Sequence, residues 1–88
     1  MNIIKNNRPI VNEINTAFRQ MEKRCIVRYI RMNTNTRNSI LNEANIITSI
    51  ADEETLWTAY IIIDENLKDR ELVLLNKDMD YTFNFVLP

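Results

Sequence analysis

Apolar residues along this chain recur in two different periods, and the change of period marks out its elements. Ile10, Ile14, Ala17, Phe18 and Met21 return every three or four positions, while Asn12, Glu13, Arg19, Gln20 and Lys23 lie elsewhere on the same cylinder. That spacing predicts an amphipathic helix from about Pro9 to Lys23 with one core-facing stripe, and Pro9 sits where a first helical turn tolerates proline. Near the other end, Tyr81, Phe83, Phe85 and Leu87 alternate with Thr82, Asn84 and Val86. A period of two predicts a half-buried strand with one apolar face.

Between these ends the pattern is mixed. Cys25 to Met32 is rich in β-branched and aromatic residues, which favours a strand. The same segment also continues the preceding helical stripe through Cys25, Tyr29 and Met32, but a longer helix would bury Arg28, so the strand is preferred. Asn33 to Asn38 reads as a loop, built from residues that bond to their own backbone. Ile40 to Ile50 fits either a helical stripe (Ile40, Ala44, Ile47, Ala51 after a Ser39 cap) or an alternating strand (Ala44, Ile46, Thr48, Ile50), with the strand narrowly favoured. Thr55 to Asp64 and Glu71 to Leu75 read as strands, separated by polar breaks at 65–69 and 76–80. Short successive links make an antiparallel meander the simplest topology. The expected fold is therefore α+β: one N-terminal amphipathic helix packed on a curved antiparallel sheet of four to five strands, in a single domain spanning 1–88.

Composition removes whole classes of chemistry. The 88 residues include no histidine, no glycine and one cysteine, Cys25. Without histidine the usual general base near neutral pH is missing, and triad, Cys–His and histidine–metal catalysis fall together. Without glycine, phosphate-cradling loops of the Walker and dinucleotide types are excluded, because backbone must approach phosphate there. Every left-handed backbone position must then be filled by Asn, Asp or a strained residue. Cys25 has no intrachain disulfide partner and reads as a small buried hydrophobe rather than a nucleophile, despite its neighbour Arg24. Asp64-x-Asn66-x-Lys68 fails a calcium-loop pattern, since Lys occupies a ligand position. The expectation is a non-enzymatic protein with no cofactor and no metal.

No apolar run approaches the roughly 18–20 residues of a membrane span, and the first residues lack a signal-peptide core. One unpaired thiol and no glycosylation sequon point to a reducing setting, so a cytoplasmic location and no membrane partner are expected. Abundant Asn and Ile reflect AT-rich codon usage, common in phages and mobile elements.

Charge is the most informative remaining feature. Residues 1–37 carry eight Lys or Arg and two Glu, whereas residues 38–88 carry three Lys or Arg and ten Asp or Glu, giving net charges of +6 and −7 and the overall −1. The candidate basic contact residues are Arg19, Lys23, Arg24, Arg28, Arg31 and Arg37, mostly the arginines suited to bidentate recognition of carboxylate or phosphate. On one strand Arg28 and Arg31 face opposite ways, which counts against a simple nucleic-acid patch, and the same cations could instead pair with neighbouring acidic strands. The candidate acidic contact residues are Asp52, Glu53, Glu54, Asp64, Glu65, Asp78 and Asp80, all in expected turns. An acidic face could occupy a nucleic-acid-binding groove of another protein, gaining association rate from long-range attraction. Solvated turn residues would look the same. Trp57, Tyr29 and Tyr60 are interface anchors if exposed and core residues otherwise.

The expected function is a protein-binding module, of the kind a phage or mobile element uses to inhibit or adapt a host nuclease or defence complex. Two other outcomes fit the same residues. One is a nucleic-acid binder using the Arg-rich first half. The other is a homodimer or structural subunit paired through the C-terminal strand, whose edge would leave backbone groups unpaired.

Overall fold

A computed structural model describes residues 10–43 and 55–88 of the chain. In order, the elements are helix α1 (Ile10–Met21), strand β1 (Tyr29–Met32), helix α2 (Thr34–Glu43), and strands β2 (Thr55–Leu56), β3 (Ala59–Ile63), β4 (Glu71–Leu75) and β5 (Thr82–Val86). The class is α+β, as the pattern of periods implies. The acidic triplet Asp52, Glu53 and Glu54, and most of the ambiguous stretch 40–50, lie outside the described residues.

Helix α1 forms where the 3.6-residue stripe places it. Ile10, Ile14, Ala17, Phe18 and Met21 are all buried, and Asn12, Arg19 and Gln20 are exposed. Burying each large member of that stripe stabilises the fold by about 1.5–3 kcal/mol. The helix ends without glycine: the N–H groups of Arg24 and Cys25 both donate to the Met21 carbonyl, at 2.9 and 3.1 Å, which satisfies a terminal acceptor through a tight turn.

Two expectations need correction. Residues 33–38 are not a loop, and the first part of 40–50 is not a strand, because α2 runs through both. Its start is an N-cap. The Asn33 side-chain oxygen accepts the Thr36 N–H at 2.7 Å, and the Asn33 carbonyl accepts the Arg37 N–H at 3.0 Å. The property that makes Asn, Thr and Ser loop-formers, bonding to nearby backbone, also makes them the best caps. Thr36 and Ile40, one helical turn apart, are the residues that α2 buries deeply.

The sheet is not a simple meander. Its strand order is β2-β3-β1-β4-β5, with β1 central. β1 and β3 run parallel, pairing Tyr29 with Tyr60 and Arg31 with Ile62, whereas the other neighbours are antiparallel. A parallel pair needs a long crossover, usually containing a helix, and α2 lies within this one. Reading 40–50 as a strand removed that helix and left only hairpins to connect the strands. The expected single strand over 55–64 is a hairpin instead, turning at Trp57 and Thr58.

Both helices belong to one side of the molecule. Ile30, Met32, Leu56, Ala59, Leu72 and Leu74 from the sheet join the α1 stripe, Ile40 and Leu87 in one buried cluster. Cys25, Trp57, Ile61, Tyr81, Phe83 and Phe85 pack around it, half-buried. Trp57 meets Phe18 edge to face, with ring centroids 5.0 Å apart. The alternation read in 81–87 is thus confirmed residue by residue, since its aromatic members line the covered face.

Left-handed backbone occurs at Trp57 (φ 55°), Arg70 (φ 68°) and Met79 (φ 60°). Of the alternatives open to a chain without glycine, these three positions take the strained residue and not Asn or Asp. Trp57 is held by its contact with Phe18, and Arg70 by bonds of its N–H to the Thr36 hydroxyl (2.7 Å) and of its Nε to the Pro88 carbonyl (3.1 Å).

Candidate functional site

The strand alternation that fills one face of the sheet leaves the other to different residues. By register, one row across this second face reads Thr55, Tyr60, Tyr29, Leu75, Thr82, and the next reads Ile62, Arg31, Val73, Asn84. Glu71 and Val86 form a third, shorter row. Neither helix contributes to it: the buried cluster that contains both helices draws on Ile30, Met32, Leu72 and Leu74, of opposite parity.

This face mixes tyrosine and aliphatic side chains with Thr55, Thr82 and Asn84, and two of its residues are charged. Tyr60 is 53% exposed and Val86 67%. Tyr29 and Ile62 are half-buried, and Val73 and Leu75 are buried. Tyr29 and Tyr60 lie side by side, ring centroids 6.4 Å apart and tilted by 37°. The charged members are Arg31 and Glu71. Arg31 Nε lies 3.9 Å from an Asp64 carboxylate oxygen, with the arginine side chain 46% exposed. Such a pair contributes about 0–1 kcal/mol, so the guanidinium can exchange Asp64 for another acceptor. The Glu71 carboxylate accepts the Lys68 N–H at 2.9 Å. Tyrosine and arginine are among the residue types enriched where proteins make their strongest contacts.

The other candidate residues scatter around this face. Arg19 on α1 and Lys23 in the turn that follows it, with Thr16 and Gln20, line a depression of about 280 Å³. Arg24 lies 6.0 Å above the Tyr81 ring centroid, at the outer limit of a cation–π contact. Arg28 lines a second depression of about 270 Å³ with Cys25, Ile26, Asn76 and Lys77. Arg37 lies in the first turns of α2, where its Nη2 donates to Asn38 at 3.4 Å and its buried Nε has no hydrogen-bond partner. The six cations therefore occupy several surfaces, and of them Arg31 alone is on the open face.

The described acidic residues occupy opposite ends of the sheet. Asp64 and Glu65 follow β3, and Asp78 and Asp80 lie in the β4–β5 turn, which closes beside the Arg24–Arg28 segment. Charge by chain half thus does not map onto charge by end of the molecule. Several of these carboxylates are also engaged internally. Asp64 accepts the Asn66 N–H at 3.0 Å, Glu65 accepts from both the N–H and the hydroxyl of Thr34, and Asp80 accepts from Asn76 at 2.8 Å. Among the described residues no group of three or more potential metal ligands converges, and no helix is long and apolar enough to cross a membrane.

Sequence pattern named Tyr29 and Tyr60 as anchors conditional on exposure, but it did not associate them with Ile62, Val73, Leu75 and Val86. The signal for the association is parity: each of these is the off-phase residue of its strand. It becomes usable only when the strand order is known. Comparison with protein-family models, with curated proteins and with solved structures finds no match for this chain.

Proposed function

We propose that this protein is a non-enzymatic binding module that receives another protein on the open face of its sheet. The observation that carries this reading is the chemistry of that face: Tyr60 and Val86 exposed, Tyr29 and Ile62 half-exposed, and a single cation, Arg31, among them. Charge depletion at a centre rich in tyrosine, with one arginine available for bidentate bonding, matches the core of a protein interface. An inhibitor or adaptor that seats on a larger assembly is the simplest form of such a module, because the fold supplies a surface and a scaffold for it.

The test is site-specific photocrosslinking. A photoreactive residue placed at Tyr60 or Ile62 captures one protein in stoichiometric yield, and the same residue at Asn35 on α2 does not. Arg31→Glu removes the capture while leaving the circular dichroism spectrum unchanged. Equal capture from Asn35, or capture indifferent to Arg31→Glu, would defeat the proposal.

A second reading draws on Arg19, Lys23, Arg24 and Arg28, none of which is ion-paired among the described residues. Four cations acting together on the phosphates of duplex DNA give a log–log salt slope of about −3.6, so affinity falls by about 150-fold between roughly 50 and 200 mM salt. The open face with its single arginine gives a slope of about −1 and a fall of only about fourfold. Titration with single- and double-stranded oligonucleotides at the two salt concentrations separates the readings.

A further inference from the structure

Strand β5 lies at one edge of the sheet among the described residues, and its free side is built to receive a copy of itself. Its pairing with β4 is continuous from Glu71↔Val86 to Leu75↔Thr82. The bonds that flank this ladder fix which backbone groups are used. Leu87 N–H donates to the Arg70 carbonyl at 2.8 Å, and the Tyr81 carbonyl accepts from Asn76 N–H at 3.3 Å. Odd-numbered residues therefore bond inward to β4, and the N–H and C=O groups of Thr82, Asn84 and Val86 point outward, because bonding alternates along an antiparallel strand.

Edges of this kind are normally blunted by charge, proline or a bulge. From Tyr81 to Leu87 the sequence holds no charged residue and no proline, and the register with β4 contains no bulge. The strand is also near-palindromic about its middle residue: Thr82-Phe83-Asn84-Phe85-Val86. A two-fold contact presents the same patch from both partners, and a palindromic strand satisfies that requirement in antiparallel pairing.

We propose that two copies of this chain pair β5 against β5 antiparallel, with the two-fold axis at Asn84. Asn84 then faces Asn84 of the second copy, Thr82 faces Val86, and all three outward residues of each strand form hydrogen-bonded pairs. Phe83 faces Phe85 in the non-hydrogen-bonded positions, where side chains approach most closely and aromatic pairs are favoured. Both rings are half-buried in the single chain, so the second copy completes their cover. Slipping the register by two residues in either direction loses one bonded pair within 82–86, and Pro88 has no N–H to extend the ladder. The contact uses backbone groups at the sheet edge; because Thr82, Asn84 and Val86 also border the open face, capture from Tyr60 on β3, three strands away, tells the docking reading apart from it.

The test is the mass of the chain in solution, by sedimentation equilibrium at about 1 mM, suited to a contact smaller than about 1,000 Å². The wild type sediments at twice the 10.5 kDa chain mass. Asn84→Pro removes an outward N–H that β4 does not use, so it gives the single-chain mass with an unchanged circular dichroism spectrum. A pair of double variants tests the register. T82K/V86K sets lysine against lysine across the axis and is monomeric. T82E/V86K sets glutamate against lysine, two residues that lie too far apart within one strand to pair, and remains a dimer that weakens with salt. A monomeric wild type overturns the proposal. So does a dimer that survives T82K/V86K, or a folded T82E/V86K that is monomeric.

Discussion

Single residues carry much of the cost of a chain without glycine. The left-handed conformation costs a non-glycine residue about 1–2 kcal/mol, and Trp57, Arg70 and Met79 each adopt it. The three differ in what a replacement would lose. Trp57→Gly removes the ring that packs on Phe18, and Arg70→Gly removes the bond to the Pro88 carbonyl. Met79 is 48% exposed and lies outside the buried cluster. Met79→Gly is therefore expected to stabilise the protein by about 1 kcal/mol, raising Tm by about 4–8 °C, whereas Trp57→Gly lowers it. Thermal unfolding of the two variants checks the contrast, and a fall in Tm for Met79→Gly would mean that its side chain does more than its exposure indicates. In the same turn, the Asn76 carboxamide accepts the N–H groups of Asp80 and Tyr81, both at 3.1 Å, and donates to Asp80 at 2.8 Å. Asn76→Ala loses all three bonds and is expected to cost about 1–3 kcal/mol, measured as a lower urea midpoint at unchanged m-value.

At the scale of elements, α2 shows how a segment of loop-forming residues becomes a helix. Among its described side chains only Thr36 and Ile40 are deeply buried, so its apolar stripe alone is a weak anchor. Its start is held by bonds across the chain. The Asn33 amide donates to the Leu67 carbonyl at 3.1 Å and to Asp69 at 2.8 Å while its oxygen caps Thr36. Asn33→Ala is expected to cost about 2–4 kcal/mol, the sum of a lost cap and of buried acceptors left unpaired. Asn33→Asp keeps the cap but sets a carboxylate against Asp69, so at neutral pH it recovers only part of that loss. Equilibrium denaturation of both variants tests the order, and equal stability of Asn33→Asp and wild type would refute it. These dependencies also show what was legible in the sequence. α1 and β5 were, because their periods are unbroken and their buried residues are large. α2 was not, because its cap partners Leu67 and Asp69 lie more than thirty positions away. The parallel pairing of β1 with β3 followed α2 out of reach, since the crossover depends on that helix.

For the molecule as a whole, the sheet separates a face packed against both helices from one that neither helix covers. The parity of each strand assigns its residues to one or the other, so neighbouring positions in sequence have opposite consequences. Leu74 is fully buried against the helices, and Leu74→Ala is expected to cost about 2–5 kcal/mol through lost burial and the cavity left behind. Tyr60 lies on the opposite face and is 53% exposed. Tyr60→Lys is expected to change stability by about 0.5 kcal/mol or less, the usual range for a surface position. The two should reverse in order when binding is measured. Tyr60→Lys places a strongly hydrated cation beside Tyr29 on the face and abolishes capture by the photoreactive residue at Ile62. Leu74→Ala leaves capture intact at any temperature where the variant is folded. A Tyr60→Lys protein that unfolds readily would show that the open face belongs to the core. A stable Tyr60→Lys protein that still engages its partner would move the binding surface elsewhere, and Arg19 on α1 with Lys23 just beyond it would then be the next place to substitute.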